Sequence, residues 1–156
     1  MLSAVGGRII KNRAELVRTG LHEDVLEVLE AGLLAADPRS AVRNSFERRG
    51  NEICVSGSCF SYGSRVHVIG FGKASVGMSL GCEDALGDAV LGGVVISPSV
   101  SATELPRRIE VVEGDHPIPG ERTLRASQRL TEYLERNLRD GDVVIVLISG
   151  GGSALF

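Results

Sequence analysis

From residue 65 onward, apolar segments of strand length alternate with segments of helical periodicity, and this alternation constrains the fold more than any other feature. The predicted strands are residues 65–70, 91–97, 109–113 and 143–148. The predicted helices between them are residues 72–86 and 121–138. The last predicted strand is apolar at every position, which is typical of a central parallel strand that is covered on both faces. Strands that alternate with helices in this way predict a mostly parallel sheet with helical crossovers.

The part of the chain before residue 65 is predicted to be helical and then to form a small hairpin. Residues 12–46 place Val25, Leu29 and Leu33 at four-residue spacing, and Leu26 and Leu34 widen this apolar stripe, which predicts an amphipathic helix. An Asp-Pro pair at residues 37–38 ends this helix and starts another. Residues 52–62 alternate around a Ser-Gly pair and predict a hairpin. The whole pattern predicts an α/β fold: a Rossmann-like three-layer domain, preceded by a helical segment, with ligands at the carboxyl ends of its strands.

Composition and charge exclude several classes of protein. The chain has 156 residues, of which 43% are hydrophobic, enough for the core of one soluble domain. Its net charge of −3 lacks the basic excess of a nucleic-acid-binding protein. No apolar run approaches the roughly 18 to 20 residues that a membrane span needs, and the N-terminus lacks a signal-peptide pattern. We therefore expect a cytoplasmic protein with no nucleic-acid or membrane partner.

The chain has three cysteines, Cys54, Cys59 and Cys82. Their number is odd, and their spacing suits no zinc site, so no metal ligands are predicted. We expect all three to be buried thiols in a reducing compartment.

The loop after the first predicted strand contains Gly70, Gly72 and Lys73 and leads into a helix. Glycines at such a turn let the backbone approach a ligand closely, and the free N–H groups of the helix start favour an anion. Lys73 adds a full positive charge. A Walker P-loop requires Ser or Thr where Ala74 stands, and a dinucleotide fingerprint requires a third glycine where Ser75 stands and an acidic residue at the end of the next strand. The sequence leaves open a phosphate site or a tight turn with a solvated lysine.

A second glycine-rich loop, Ser149-Gly150-Gly151-Gly152-Ser153, follows the last predicted strand. Ordering three consecutive glycines costs considerable backbone entropy, and a plain turn needs only one or two of them. Such a run can form a nest of N–H groups for phosphate, to which the two serines add hydroxyl groups. We therefore predict a phosphate-binding loop here, and the alternative is a flexible tail.

A third loop, residues 115–119, contains two prolines and places His116 just before a helix. A histidine in that position can bind a substrate carboxylate or act as an acid or base. The alternative is a structural hydrogen bond.

These three loops resemble the glycerate 2-kinase family, whose C-terminal half is called the MOFRL domain. The matching motifs are Gly70-Phe71-Gly72-Lys73-Ala74, Gly114-Asp115-His116-Pro117-Ile118-Pro119 and Leu147-Ile148-Ser149-Gly150-Gly151-Gly152-Ser153-Ala154-Leu155. The resemblance covers essentially the whole chain and implies an enzyme that transfers the γ-phosphoryl group of ATP to the 2-hydroxyl of D-glycerate, with Mg²⁺. It also implies that residues 1–156 are an N-terminal domain, incomplete at its C-terminus, in an enzyme whose second domain is absent from this chain. Such a fragment is expected to be inactive alone, and its expected macromolecular partner is the missing C-terminal domain or a second copy of the chain in a homo-oligomer.

The resemblance also implies roles for particular residues. Lys73 is the predicted catalytic residue, stabilising charge on the transferring phosphoryl group, and it also contacts substrate. His116 and Ser149 are predicted to bind glycerate. The predicted phosphate-binding residues are Gly70, Gly72, Ser149, Gly150, Gly151, Gly152 and Ser153. Gly120 stands where many family members have Asp, which we expect to alter only the helix cap.

Two other interpretations remain open at this point. The loop that begins at Gly70 also resembles the start of a sugar-isomerase-type phosphosugar-binding module, although such modules usually carry a Ser/Thr-rich loop where this chain has three glycines. The chain could also be a non-catalytic remnant whose last strand needs a covering partner.

Overall fold

The computed structural model describes residues 9–63, 65–100 and 103–156. The chain divides into two compact units, one ending at Asp37 and the other beginning at Pro38.

The N-terminal unit contains two helices, α1 (Arg13–Leu16) and α2 (Gly20–Ala35). Arg13 is buried and pairs with the buried carboxylate of Glu30 at 3.2 Å. The predicted amphipathic helix is present, but only part of the predicted apolar stripe is buried. Leu26 is buried together with Glu30, whereas Val25, Leu29, Leu33 and Leu34 are each about half exposed.

The second unit begins with helix α3 (Pro38–Ser45), so the predicted restart at the Asp-Pro pair is confirmed. A three-stranded antiparallel sheet follows, formed by β1 (Phe46–Arg49), β2 (Glu52–Val55) and β3 (Ser58–Ser61). The hairpin of β2 and β3 was predicted, whereas β1 was not. Phe46 turns the chain from helix to strand because it pairs with Val55 and packs against the main core.

The expectation of three buried thiols is wrong for two of them. Cys54 and Cys59 lie directly opposite each other on β2 and β3 and form a disulfide. The two residues of the tight turn, Ser56 and Gly57, both have positive φ, as the tightest hairpin turns require. A hairpin with this turn sets Cys54 against Cys59, so the predicted hairpin itself contained the signal for the pair. Cys82 is buried and unpaired, as expected.

The main sheet has four parallel strands in the order β6-β5-β4-β7. Its elements run β4 (Val66–Phe71), α4 (Ser75–Leu86), β5 (Val90–Ser97), β6 (Ile109–Glu113), α5 (Glu121–Asn137) and β7 (Val143–Ile148). All four predicted strands and both predicted helices are present to within a few residues. The predicted α/β fold is therefore confirmed.

The sheet lies between two layers, because alternate residues of each buried strand enter different cores. Val95 packs with Leu86 of α4 and with the antiparallel sheet on one face. Val94 and Ile96 pack with Leu130 of α5 on the other face. The expected three-layer arrangement results.

Strand β7 is at the edge of the described sheet, where a central strand was predicted. It pairs with β4 on one side. Val146 and Ile148 are 49% and 61% exposed. Its uniformly apolar sequence therefore leaves an apolar edge uncovered. No helix in the described ranges is long and apolar enough to cross a membrane.

Candidate functional site at the switch point of the sheet

The two glycine-rich loops meet because of the order of the strands. From β4 the chain crosses through α4 to β5 on one side, and after β6 it crosses back through α5 to β7 on the other side of β4. The carboxyl ends of β4 and β7 are thus neighbours at the point where the strand order reverses. Open α/β sheets bind ligands at such a switch point. The loops that follow these two strands are the two predicted phosphate loops.

Gly72 and Ser149 form the contact between the loops. Gly72 has a φ of +126°, and a Cβ at this position would lie only 2.0 Å from Ser149 Oγ. Glycine is therefore required here both by backbone conformation and by space. Ser149 Oγ accepts a hydrogen bond from the Ala74 N–H at 3.2 Å. The structure thus brings together Lys73, which lies between Gly72 and Ala74, and the Ser149 loop.

The predicted phosphate-binding glycines fall into two groups. A Cβ on Gly70 would approach Leu147 O to 2.7 Å, and one on Gly152 would approach the Phe71 ring to 2.8 Å. These two glycines, like Gly72, allow close packing between the loops and strands. A Cβ on Gly150 or Gly151 would meet no described atom within 4 Å, and Gly151 has a φ of +77°. The open backbone at Gly150 and Gly151 is the part of the second loop that a ligand can approach.

Lys73 is exposed and makes no ion pair or hydrogen bond within the described residues. A pocket of about 390 Å³ lies beside it. Val76 and Leu80 of α4 contribute an apolar wall, and Ser97 and Thr103 contribute hydroxyl groups from the β5 side. The sequence analysis missed these two residues, although the position of Ser97 at the carboxyl end of a predicted strand was a usable signal.

The turn that carries Lys73 is anchored to β5. The Gly72 N–H and the Ser75 hydroxyl both donate to the Ile96 carbonyl, at 3.0 and 2.9 Å. Ser75 is fully buried. The serine that occupies the third glycine position of a dinucleotide fingerprint therefore fixes the start of α4.

His116 is exposed and makes no hydrogen bond or ion pair within the part of the chain that is described. The base of its loop lies near the second glycine-rich loop, because a Cβ on Gly114 would be 3.0 Å from Leu155 Cδ2. The His116 side chain itself has no contact with Lys73 or Ser149 that the structure records. Its predicted role as a substrate ligand remains a prediction.

Asp115, next to His116, is a structural residue. Its carboxylate accepts the backbone N–H groups of Arg122 and Thr123 at the start of α5, at 2.9 and 3.4 Å. The Arg122 guanidinium donates to the same carboxylate at 2.7 Å and holds the pKa of Asp115 below its usual range. Gly120 is the N-cap residue and supplies no side chain, so Asp115 caps the helix in its place.

The described side chains near Lys73 do not form a dedicated metal site. Among the described residues, no group of three or more His, Cys, Asp or Glu side chains is arranged to hold a metal ion. Mg²⁺ prefers octahedral oxygen ligands that include carboxylates. The hydroxyl groups near Lys73 do not amount to such a set.

The fold and the site define an α/β domain with a candidate anion site at a topological switch point. The chain belongs to the family described as Domain of unknown function (DUF4147), whose model matches residues 24–156.

Named relatives extend this assignment. The chain is 37% identical over 141 residues to a glycerate 2-kinase from Pyrococcus horikoshii, covering 90% of this chain and 31% of that protein. It is 34% identical to a putative hydroxypyruvate reductase from Agrobacterium vitis, covering 82% of this chain and 26% of the relative. A crystal structure of a protein from Pyrococcus horikoshii superposes with a TM-score of 0.75 at 37% identity, covering 90% of this chain and 31% of that one. The chain thus spans about a third of the length of the curated relatives it matches.

Proposed function

We propose that this domain forms part of a glycerate 2-kinase that transfers the γ-phosphoryl group of ATP to the 2-hydroxyl of D-glycerate, giving 2-phosphoglycerate. The observation that carries the proposal is the contact between the turn that contains Lys73 and the Ser149–Ser153 loop at the switch point. The similarity to a protein named glycerate 2-kinase supports the choice of reaction. Because the chain spans about a third of such proteins, the rest of the cleft would come from a second domain or from a partner.

Phosphoryl transfer asks a protein mainly to position the reactants and to neutralise charge. In this proposal the Lys73 ammonium contacts the transferring phosphoryl group, since a compact point charge suits phosphate oxygens. Lys73 has no carboxylate partner within the described ranges, so its charge is available to an anion. A Cβ on Gly150 or Gly151 would meet no described atom within 4 Å, so the backbone there has room for a ligand, and the N–H groups of these glycines would bind other phosphate oxygens.

The remaining predicted residues would complete the substrate site. The Ser149 hydroxyl hydrogen and the exposed Ser153 hydroxyl are available as donors to glycerate or phosphate. His116 would bind the glycerate carboxylate from the third loop. Mg²⁺ would accompany ATP and neutralise its phosphates. The proposed compartment is the cytoplasm, where the Cys54–Cys59 pair would be largely reduced.

The test is release of ADP, measured by a coupled assay with ATP, Mg²⁺ and D-glycerate. It is run on this 156-residue chain and on the complete protein that the gene encodes, which we call the full-length protein. We expect turnover by the full-length protein and little or none by the 156-residue chain. A full-length protein that folds but does not release ADP with D-glycerate would overturn the proposal.

The name of the second relative suggests a reductase, and the geometry favours the kinase. A nicotinamide dinucleotide site of the Rossmann type has a third glycine at the helix start and an acidic residue after the second strand. Here Ser75 and Ser97 stand at those positions, and Ser75 is committed to the Ile96 carbonyl. Oxidation of NADH or NADPH with hydroxypyruvate, in the same preparation, distinguishes the two activities.

If the domain is instead a phosphosugar-binding module, its ligand is a phosphosugar and not ATP. Binding to the folded state raises the melting temperature with ligand concentration. A thermal shift with phosphosugars, and none with ATP and Mg²⁺, would favour the module over the kinase.

A further inference from the structure

The structure assigns to Ser149 a role as a positioning residue that sets the place of Lys73, an inference that rests on the proposed function. The sequence pattern suggested only a phosphate or substrate ligand. In the structure, the oxygen of the Ser149 hydroxyl is already engaged by the protein, as the acceptor for the Ala74 N–H at 3.2 Å. The two residues are 75 positions apart in the sequence, so this bond joins two loops that are distant along the chain.

Ser149 links three segments through three different groups. Its N–H donates to the Phe71 carbonyl at 3.3 Å, and its carbonyl accepts the N–H of Gly152 at 3.0 Å. Its hydroxyl oxygen holds Ala74. The end of β4, the turn before α4 and the second glycine-rich loop thus converge on one half-buried residue.

The bond to Ala74 supplies a side-chain partner at the start of α4, where the Ser75 N–H already donates to the Gly72 carbonyl. Ala74 is the N-cap residue of α4 and makes no side-chain capping bond. The first N–H groups of a helix need partners from outside the helix. Ser149 supplies the one for Ala74 and thereby ties the helix start to the second loop.

Gly72 keeps the place for the Ser149 hydroxyl open. A Cβ at Gly72 would be 2.0 Å from Ser149 Oγ and 3.2 Å from Ser149 Cβ. Any other residue at Gly72 would expel the hydroxyl from its position. Gly72 and Ser149 are therefore complementary. The missing side chain at Gly72 leaves a space in the first loop, and the hydroxyl oxygen of Ser149 fills it from the second loop.

The consequence falls on Lys73, whose two chain neighbours both touch Ser149. The side chain of a lysine is long and flexible, and the position of its Cα sets the region that the ammonium can reach. A small displacement of a catalytic group lowers the rate strongly. Ser149 thus fixes the base from which Lys73 reaches the transferring phosphoryl group.

The first experiment needs no catalytic activity. Amide hydrogen exchange at Ala74 is followed by NMR in the 156-residue chain and in its Ser149→Ala variant. We expect exchange at Ala74 to accelerate about tenfold, the equivalent of one lost hydrogen bond. Ser149→Thr retains the oxygen and is expected to preserve the protection. Ser127→Ala is the matched control, since Ser127 is also half-buried and its hydroxyl also makes one bond to a backbone group, donating to the Thr123 carbonyl. Unchanged exchange at Ala74 in Ser149→Ala would overturn the inference.

The second experiment uses the full-length protein and a double-mutant cycle with Lys73→Ala. Ser149→Ala is expected to lower kcat about tenfold with KM for ATP changed less than twofold, and to have a much smaller effect on kcat when Lys73 is already alanine, because only the direct contact of its hydroxyl with substrate is then lost. Ser127→Ala should leave kcat unchanged. Equal losses in both backgrounds would show that Ser149 acts independently of Lys73 and would overturn the positioning role. If the full-length protein shows no turnover at all, the proposed function fails, while exchange at Ala74 still decides whether Ser149 holds the turn.

Discussion

Lys73 is the residue on which the proposed chemistry depends most directly. It is exposed at the switch point, between two residues that contact Ser149 of the second loop, and no described carboxylate neutralises it. The chain offers a natural comparison, because Lys11 is the only other lysine in the sequence and it lies in the other compact unit.

Lys73→Ala in the full-length protein is expected to lower kcat by about a hundredfold or more, because a preorganised charge on the transferring group is removed. The measurement is steady-state ADP release with D-glycerate. Lys11→Ala makes the same chemical change and should leave kcat unaltered. An unchanged kcat in Lys73→Ala would remove Lys73 from the mechanism.

Asp115 contributes to stability, since it caps α5 in place of a side chain at Gly120. Asp115→Ala is expected to lower the melting temperature by about 2 to 4 °C, the typical effect of losing a cap in a domain of this size. The control is Asp140→Ala, because Asp140 makes no described interaction.

The same variant gives a prediction for pH dependence. Hydrogen bonding to Arg122 lowers the pKa of Asp115 in the folded state, so its contribution is present above the unfolded pKa of about 4 and is lost as pH falls through the folded value. The difference in melting temperature between wild type and Asp115→Ala should therefore be constant near neutral pH and shrink on acidification below about pH 4. A difference that grows in acid would contradict this assignment.

At the scale of elements, small residues on two faces of α4 let this helix approach both the sheet and α3 closely. Cys82 faces the sheet core, together with Met78 and Ala85. Gly77 and Gly81 face α3 instead, and a Cβ on Gly81 would lie 2.4 Å from the Arg39 carbonyl oxygen. The close approach of these two helices therefore depends on missing side chains.

Gly81→Ala is expected to destabilise the chain by about 1 to 3 kcal/mol, because a backbone atom must move to admit the methyl group. Gly32→Ala in α2 is the matched control, since a Cβ there meets no described atom within 4 Å. It should stabilise by about 0.5 to 1 kcal/mol through helix propensity. Denaturant unfolding measures both, and equal effects would refute the packing argument.

The hairpin of β2 and β3 gives a prediction for thiol chemistry. Purified without reductant, the chain should show no rapidly reacting thiol when folded and one when unfolded, because Cys54 and Cys59 are paired and burial raises the pKa of Cys82 to about 12. Thiol titration with and without denaturant measures this. Three thiols in the unfolded, unreduced protein would show that the pair is absent.

At the scale of the whole molecule, the outer edge of β7 is the most exposed apolar part of the described sheet. Val146 and Ile148 are about half exposed or more on a strand that pairs on one side. Sheet edges with unpaired backbone groups and apolar side chains promote association.

Ile148→Lys is therefore expected to reduce concentration-dependent self-association of the 156-residue chain, as measured by sedimentation velocity. Leu124→Lys on α5 is the control, because Leu124 is equally exposed at 60% but lies on a helix surface with satisfied backbone groups. A wild-type chain that is monomeric at all concentrations would contradict the prediction.

Much of the fold was predictable because it depends on local patterns. Apolar runs and helical periodicity located β4 to β7, α4 and α5, and the Asp-Pro pair located the start of α3. Strand β1 was missed because Phe46 joins a sheet through a partner, Val55, that local periodicity cannot reveal. The disulfide was not predicted, because the pairing depends on the register of the hairpin, which sets Cys54 opposite Cys59.

The sequence by itself determined the order of strands and helices, the α/β class and the identity of the three loops, since these follow from interactions between near neighbours in the chain. Only the tertiary structure decided that β7 lies beside β4, that Ser149 holds Ala74, and that Gly72 and Gly152 serve packing while Gly150 and Gly151 stay open. The physical reason is that these contacts join residues about 75 or more positions apart. These contacts depend on strand pairing and on the close approach of backbones. The periodicity of the sequence does not indicate which strands pair with each other.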